Sequence, residues 1–311
     1  MRVPLSPYSL REFVPMVWRR FTGPPPRPDS IDRDLRLHPA PPDITIGFVG
    51  DICPLFGREA RFGDGVRAFL SDCDVVVGNF EGIFSDRAWR PFLMKHAPDI
   101  FPALARLRPL DRWIVSVANN HATDYGPEDF ERTRRRLDQH EIRWLGTSDR
   151  PRFSLTDNVT LTAWTEWLNR PGDGVARRDP GAPAAPGLHI ALPHWGHEHE
   201  RQPRPDQTPP NGYTLTVGHH THLPQPFEVR DDGALVAWSL GNFVTGKQLS
   251  VLGEGAMLKV DLTRLATNGP VIVRARYREI NLDRNRHQCR VTLRHSDPPL
   301  PQEPSLPHDD S

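Results

Sequence analysis

The chain has few cysteines, no excess of charge of either sign and no long apolar run. Its 311 residues include three widely spaced cysteines, which predicts buried thiols and excludes a disulfide framework. Lysine and arginine total 39, as do aspartate and glutamate, so a nucleic-acid partner is not expected. A signal peptide and a transmembrane segment, which needs about 20 apolar residues, are both lacking. We therefore expect a cytoplasmic protein.

Proline, in contrast, is abundant near both ends of the chain. Residues 1–43 contain two proline clusters, and residues 291–311 are again proline-rich and polar. Such segments bury little apolar surface, so we predict a partly disordered N-terminal arm, a folded domain over residues 44–290 and a disordered tail. Residues 10–21 leave alternatives open. A packing arm or a disordered leader is favoured over a short basic amphipathic helix in peripheral contact with a membrane or a partner.

Short apolar runs alternate with helical patterns inside the predicted domain. Runs typical of strands buried on both faces cover residues 44–49, 73–78, 113–118, 188–193 and 213–217. Helical patterns cover residues 65–70, 98–107 and 127–140. Hairpin signals follow at residues 153–167, 227–238 and 256–283. This order predicts βα units followed by an antiparallel layer, which is an α/β fold.

A polar string rich in metal-binding groups follows each predicted buried strand. The strings are Gly50-Asp51, Asn79-Phe80-Glu81-Gly82, Asn119-Asn120-His121, His194-Trp195-Gly196-His197-Glu198 and Gly218-His219-His220-Thr221-His222. Ligands of open α/β sheets bind beyond the carboxyl ends of the strands, so we expect the five strings to converge. One string alone has an ordinary explanation, such as a helix N-cap at Asp51. Independent structural roles give no reason for these groups to recur after successive strands.

The mixture of side chains also narrows the choice of metal. Carboxylate, amide and imidazole groups together suit Mn²⁺, Fe²⁺ or Zn²⁺, whereas Ca²⁺ and Mg²⁺ prefer sites made of oxygen alone. The strings contain no cysteine, which argues against a structural zinc site. Because the candidate ligands outnumber the needs of one ion, we predict two divalent transition-metal ions. Such a pair activates water and stabilises both reacting oxygens of an in-line phosphoryl displacement.

The order of the strings resembles the CapA/PgsA poly-γ-glutamate capsule biosynthesis family. The resemblance covers about residues 44–245 and includes, beyond the five strings, Asp124-Tyr125-Gly126, Gln225-Pro226 and Ser239-Leu240-Gly241-Asn242-Phe243. That family is related to the calcineurin-like metallophosphoesterases. The resemblance therefore implies a four-layer α/β/β/α sandwich of the metallo-dependent phosphatase type, a two-metal site and a role in capsule or exopolymer biosynthesis.

The resemblance further implies a role for each candidate residue. The metal ligands would be Asp51, Glu81, Asn120, His194, His220 and His222. Residues that orient the ligands or bind substrate would be Asn79, Glu198, His219 and Asn242. Glu81 would bridge the two ions, and His121 would be the general acid near the leaving group. His219 is ambiguous, because either it or His220 could occupy the ligand position.

Two functions of different classes remain open from the sequence. The first is a metal-dependent phosphoesterase or related hydrolase acting on a small phosphorylated or polyanionic substrate. The second is a non-catalytic assembly or binding factor for an anionic exopolymer, in contact with the exopolymer synthesis machinery. Relatives commonly have an N-terminal membrane anchor and a helix-forming stretch before the Gly218 string. No such anchor is expected here, which argues against export. Residues 202–211 are proline-rich and too short for that helix-forming stretch, so we expect a different pocket rim.

Overall fold

The computed structural model describes residues 6, 8–23, 26, 32–265 and 269–295. The helices are α1 (Leu10–Thr22), α2 (Asp64–Leu70), α3 (Ile100–Ala105) and α4 (Pro127–Gln139), and single 3-10 turns lie at Leu110–Arg112 and Ser250–Leu252. The strands are β1 (Arg33–Arg36), β2 (Ile44–Ile52), β3 (Glu59–Phe62), β4 (Val75–Phe80), β5 (Ile83–Phe84), β6 (Lys95–His96), β7 (Trp113–Ser116), β8 (Arg143–Leu145), β9 (Arg152–Thr156), β10 (Val159–Thr165), β11 (Leu188–His194), β12 (Leu215–Val217), β13 (Phe227–Val229), β14 (Leu235–Ala237), β15 (Asn242–Val244), β16 (Glu254–Leu265), β17 (Gly269–Arg284) and β18 (Gln288–Leu293).

The larger of the two main sheets contains ten strands. Their order is β3-β18-β17-β16-β2-β4-β7-β8, with β1 paired to β17 and β15 paired to β2. Strands β2, β4, β7 and β8 are parallel, and α2, α3 and α4 lie in the successive connections between them. Parallel neighbours need such crossovers, whereas the antiparallel pair β16–β17 is joined directly.

Helix α4 shows why the sequence folds this way locally. Pro127 occupies its first turn together with Glu128, where a missing N–H costs nothing and a negative charge is favourable. Phe130, Thr133 and Leu137 recur at helical spacing and are buried. The helix therefore buries one stripe of side chains against the domain.

The smaller main sheet has six strands in the order β13-β14-β12-β11-β10-β9. Its central strands β10, β11, β12 and β14 are parallel, but the first two crossovers run through irregular chain at residues 166–187 and 195–214. Ala176 from the first of these segments packs against Trp164 and Ala191 on the sheet. Side chains of both main sheets meet in one apolar core. The chain thus has a mixed α/β fold in which the two main sheets share one apolar core.

Most of the expected elements are confirmed. The five buried runs correspond to β2, β4, β7, β11 and β12, the helical patterns to α2, α3 and α4, and the hairpins to β9–β10, β13–β14 and β16–β17. Described structure also extends beyond residues 44–290, because β1 pairs with β17 and β18 ends at Leu293. Of the predicted tail, residues 296–311 lie outside the described residues.

The N-terminal arm contains more regular structure than the sequence pattern favoured. Residues within the segment 10–21 form α1, which continues through Pro15. Strand β1 has the sequence Arg-Asp-Leu-Arg and is mostly exposed, so it lacks the apolar alternation by which strands are recognised. In the described part of the chain, no helix is both long and apolar enough to cross a membrane.

Candidate metal centre

The larger sheet brings Asp51, Asn79 and Asn242 side by side through strand register. Asp51 on β2 pairs with Asn79 on β4 and with Asn242 on β15. The Nδ2 atom of Asn79 donates a hydrogen bond of 2.8 Å to Oδ1 of Asp51. A Cβ atom at Gly50 would lie 2.0 Å from the carbonyl oxygen of Gly241, so glycine permits this close approach of β2 and β15.

The smaller sheet contributes histidines that meet these groups. His194 ends β11, and its Nδ1 lies 3.2 Å from Nδ2 of Asn79, while its Nε2 lies 2.9 Å from Oδ1 of Asn120. The backbone N–H of His220 donates to Oδ2 of Asp51 at 3.2 Å. His220 and His222 have φ angles of 90° and 61°, in a region that non-glycine residues seldom adopt and that is concentrated at functional sites.

Glu81 and His222 form the most strongly charged part of the cluster. Glu81 is fully buried just beyond β4, with Oε2 at 3.7 Å from Nδ1 of His222 and Oε1 at 3.9 Å from Nε2 of His121. Burial raises the pKa of Glu81, and the nearby charge of Asp51 adds to this, although His222 acts in the opposite direction. Burial alone would lower the pKa of His222, but Glu81 and Asp51 raise it to about 9.

These groups fit a divalent cation. Oε1 of Glu81 is buried and has no hydrogen-bond partner within the described residues, which leaves a costly orphaned acceptor. A histidine binds a metal only when the ligating nitrogen is deprotonated. A bound ion would therefore replace the proton on His222 and supply the positive charge that the buried carboxylates otherwise obtain from it. Ligand atoms of Cys53, Glu81 and His222 lie within 4.8 Å of one another and could hold an ion.

Cys53 is the member of this group that the sequence analysis did not assign to the site. It was expected to be a buried thiol, and it is buried and free. Its Sγ donates to Oε2 of Glu81 at 3.3 Å. Burial, together with the charges of Glu81 and Asp51, raises the pKa of Cys53 well above its ordinary value. Its position two residues after Asp51 was the available signal.

His121 is paired with a carboxylate. Its Nδ1 lies 2.6 Å from Oδ2 of Asp124, and the same oxygen accepts the backbone N–H of Met94 at 2.6 Å. The Nδ2 atom of Asn169 lies 3.1 Å from Nδ1 of His121, and Oδ1 of Asn169 accepts from Asn120 at 3.2 Å. Asn169 was missed by the sequence analysis because it lies in the irregular segment 166–187 rather than at a strand end.

The two ambiguous histidines differ in their surroundings. Nε2 of His219 lies 3.3 Å from the backbone oxygen of Val49. The ring of His220 instead lies 4.6 Å from that of His194, between centroids. Burial lowers the pKa of both histidines, that of His220 to about 3, so only the positions of the two rings distinguish them. His220 is therefore the better placed of the two to bind a metal.

The remaining candidates lie around the same cluster. Oδ1 of Asn242 is 3.0 Å from Nδ1 of His222, and its Nδ2 donates back to the His222 carbonyl. Glu198 lines a cavity of about 160 Å³ with His121, His222 and Asn169. The structure thus brings every candidate residue to one region, with His219 turned toward the backbone of β2 and Glu198 on the cavity wall.

Buried carboxylate, amide and imidazole groups meet at the strand ends of a two-sheet α/β fold, which makes this chain a candidate metal-binding protein. The family described as "Bacterial capsule synthesis protein PGA_cap" matches residues 45–155 and 181–247, and the chain belongs to that family.

Two characterised relatives are similar over most of the chain. "PGA biosynthesis protein CapA" of Bacillus subtilis (strain 168) is 24% identical over 269 residues, which cover 72% of this chain and 69% of the relative. "Capsule biosynthesis protein CapA" of Bacillus anthracis is 25% identical over 279 residues, covering 74% of this chain and 66% of the relative. Among solved structures, the calcineurin-like phosphoesterase YfkN from Bacillus subtilis has a TM-score of 0.40 at 12% identity, covering 76% of this chain and 90% of that one.

Proposed function

We propose that the protein is a metal-dependent phosphoesterase or related hydrolase of capsule or exopolymer biosynthesis. Its substrate would be a small phosphorylated or polyanionic compound. The observation that carries the proposal is the buried His121–Asp124 pair, whose imidazole lies 3.9 Å from Oε1 of Glu81, an atom with no hydrogen-bond partner among the described residues. The link to capsule synthesis rests on the family and on the names of the relatives, so we infer contact with exopolymer machinery from them.

The proposed metal ligands combine both sheets. They are Asp51, Glu81, Asn120, His194, His220 and His222. Two divalent ions such as Mn²⁺, Fe²⁺ or Zn²⁺ would lower the pKa of bound water and stabilise the charge of a phosphoryl group in transit. Asn79 and Asn242 hold Asp51 and His222 through hydrogen bonds, so they would fix the geometry of the ligands.

His121 is suited to give a proton to a leaving oxygen. Asp124 engages Nδ1 and so fixes the orientation of the ring, with Nε2 at 3.9 Å from Oε1 of Glu81. Asp124 is itself held by the Met94 N–H, so the pair is rigid before substrate arrives. A positioned general acid of this kind contributes roughly 100-fold to 10,000-fold to the rate.

The test compares metal content and hydrolysis in the same preparations. We expect two transition-metal ions per chain in the wild type and in His121→Ala, with hydrolysis of chromogenic phosphomonoesters or phosphodiesters about 100-fold to 10,000-fold slower in the variant. His287→Ala, at an exposed histidine far along the chain, is the matched control and should leave both quantities unchanged.

Two outcomes would contradict the proposal in different ways. A metal-loaded wild type that turns over no phosphoester at all would exclude the phosphoesterase. A protein that stays empty and inactive after Mn²⁺, Fe²⁺ or Zn²⁺ is supplied would instead favour the second function, a binding factor for an anionic exopolymer.

A further inference from the structure

The N-terminal arm reaches the metal centre through a single tyrosine. Tyr8 is 1% exposed, although it comes just before α1 in an N-terminal arm that was predicted to be partly disordered. Its hydroxyl oxygen lies 2.6 Å from Nε2 of His220 and accepts the backbone N–H of Glu198 at 2.9 Å. An arm residue more than 200 positions away in sequence therefore contacts a candidate metal ligand directly.

Several contacts hold the tyrosine in this position. Its ring stacks on His197, with centroids 5.6 Å apart, and meets the edge of Trp167 at 5.2 Å. Glu12 on α1 lies 3.3 Å from Nε2 of His197, and Arg19 forms an ion pair of 3.1 Å with Glu200. These contacts join the arm to Trp167 and to the His194 string with its continuation at Glu200, so the arm docks on the histidine side of the centre.

The two ring nitrogens of His220 have opposite surroundings. Nε2 is engaged by Tyr8, whereas Nδ1 is buried and has no hydrogen-bond partner in the described part of the chain. Metal-binding histidines regularly donate the N–H of one ring nitrogen to a fixed acceptor, and this leaves the lone pair of the other nitrogen for the ion. The hydroxyl oxygen of Tyr8 is placed to be the fixed acceptor, and Nδ1 of His220 is the nitrogen whose lone pair stays available for the ion.

We propose that Tyr8 is a positioning residue of the metal centre, whose hydroxyl oxygen accepts the Nε2–H of His220 and thereby presents Nδ1 to a divalent metal ion. The N-terminal arm then completes the site that the two sheets form. This inference rests on the metal centre of the proposed function and not on its hydrolytic activity.

The test measures metal affinity in the full-length chain by titration with Zn²⁺ and with Mn²⁺. Tyr8→Phe keeps the ring and removes only the hydroxyl, so we expect it to weaken binding of one ion about 10-fold to 100-fold. Tyr213→Phe is the matched control, because it removes a half-buried hydroxyl that bonds Asp179 at 2.7 Å, and it should leave the affinity unchanged.

A double variant separates positioning from a general structural role. Because Tyr8 acts through His220, adding Tyr8→Phe to His220→Ala should change the metal affinity by less than about twofold. A merely structural tyrosine would weaken binding equally in both backgrounds, and that result would overturn the proposal.

The remaining outcomes are also decisive. Unchanged or tighter metal binding by Tyr8→Phe would overturn the positioning role, and tighter binding would show that the hydroxyl competes with the metal. A wild type that binds no metal would overturn both this inference and the proposed function. A wild type that binds two ions but hydrolyses nothing would overturn the phosphoesterase alone, since the affinity comparison does not use hydrolysis.

Discussion

The candidate centre has an oxygen half and an imidazole half, which are held in different ways. The oxygen half comes from the larger sheet, where Asp51 and Asn79 lie within paired strands and are aligned by register. The imidazole half comes from the smaller sheet, where His220 and His222 lie after β12 with positive φ angles. Strand pairing positions the first half, whereas strained backbone and contacts from distant segments, including Tyr8, position the second.

The halves also differ in charge. Burial raises the pKa of Glu81 in the oxygen half, whereas in the imidazole half burial and the neighbouring imidazoles lower the pKa of His194 well below its ordinary value. In the metal-free protein, negative charge at Glu81 is therefore unfavourable, and His194 and His220 of the imidazole half are neutral. A cation relieves the first half directly, so we expect changes there to affect metal binding most.

The largest effect should come from Asp51→Asn in the oxygen half. Asp51 contacts Asn79, His220 and His222, so its charge and geometry serve both halves. Changes to outer partners of metal ligands already cost about 10-fold to 100-fold, and we therefore expect this change to weaken metal binding and slow hydrolysis by more than about 100-fold. Metal analysis and phosphoesterase assays check this. Retention of two tightly bound ions would mean that Asp51 is not a ligand.

The second prediction separates the two neighbouring histidines of the imidazole half. We expect His220→Ala to lose one ion per chain and His219→Ala to retain both, because His219 faces the Val49 carbonyl. Metal content after gel filtration measures the difference. If His219→Ala loses the ion instead, the ligand position belongs to His219, and the Tyr8 contact has another purpose.

The same contrast explains what the sequence could predict. Asp51, Glu81 and His194 follow continuous apolar runs, and such runs identify strands buried on both faces, so their convergence could be expected. The contacts of Tyr8 and Asn169 could not be predicted, because they depend on how irregular segments pack. Strand β8 was missed because its three residues include Arg143 and so form no apolar run, and β1 because its residues are mostly charged.

A smaller effect is expected from Cys53→Ala, which tests whether Cys53 belongs to the oxygen half of the centre. The thiol donates to Glu81, and burial raises its pKa, so we expect it to act as a hydrogen-bond donor to a ligand. Its loss should weaken metal binding about 10-fold. Cys53→Ser, which keeps a donor, should restore most of the affinity, whereas failure of serine to do so would indicate that the sulfur binds the metal itself. Cys73→Ala, at a buried thiol beside Gly47 of β2, is the control.

The smallest effect at neutral pH should come from His96→Phe, which tests the aromatic packing next to the oxygen half. His96 stacks on Phe80 with centroids 4.0 Å apart, and burial lowers its pKa from 6.5 to about 3. As the pH falls through 6.5, His96 becomes protonated in the unfolded chain but stays neutral in the folded chain. The free energy of unfolding is therefore unaffected by the protonation of His96 above pH 6.5 and decreases as the pH falls below it. Between pH 6.5 and 5.0 this amounts to about 2 kcal/mol, at about 1.4 kcal/mol per unit.

Urea unfolding of the metal-free protein at the two pH values measures this loss. We expect the wild type to lose about 2 kcal/mol more than His96→Phe over the interval, while His287→Gln, at an exposed histidine, behaves as the wild type. Metal content at pH 7 should stay at the wild-type value in His96→Phe, because no side chain of a proposed ligand bonds the His96 ring nitrogens within the described residues. Equal acid sensitivity in wild type and variant would assign the pH dependence to the imidazole half instead, where His194, His219 and His220 are also buried.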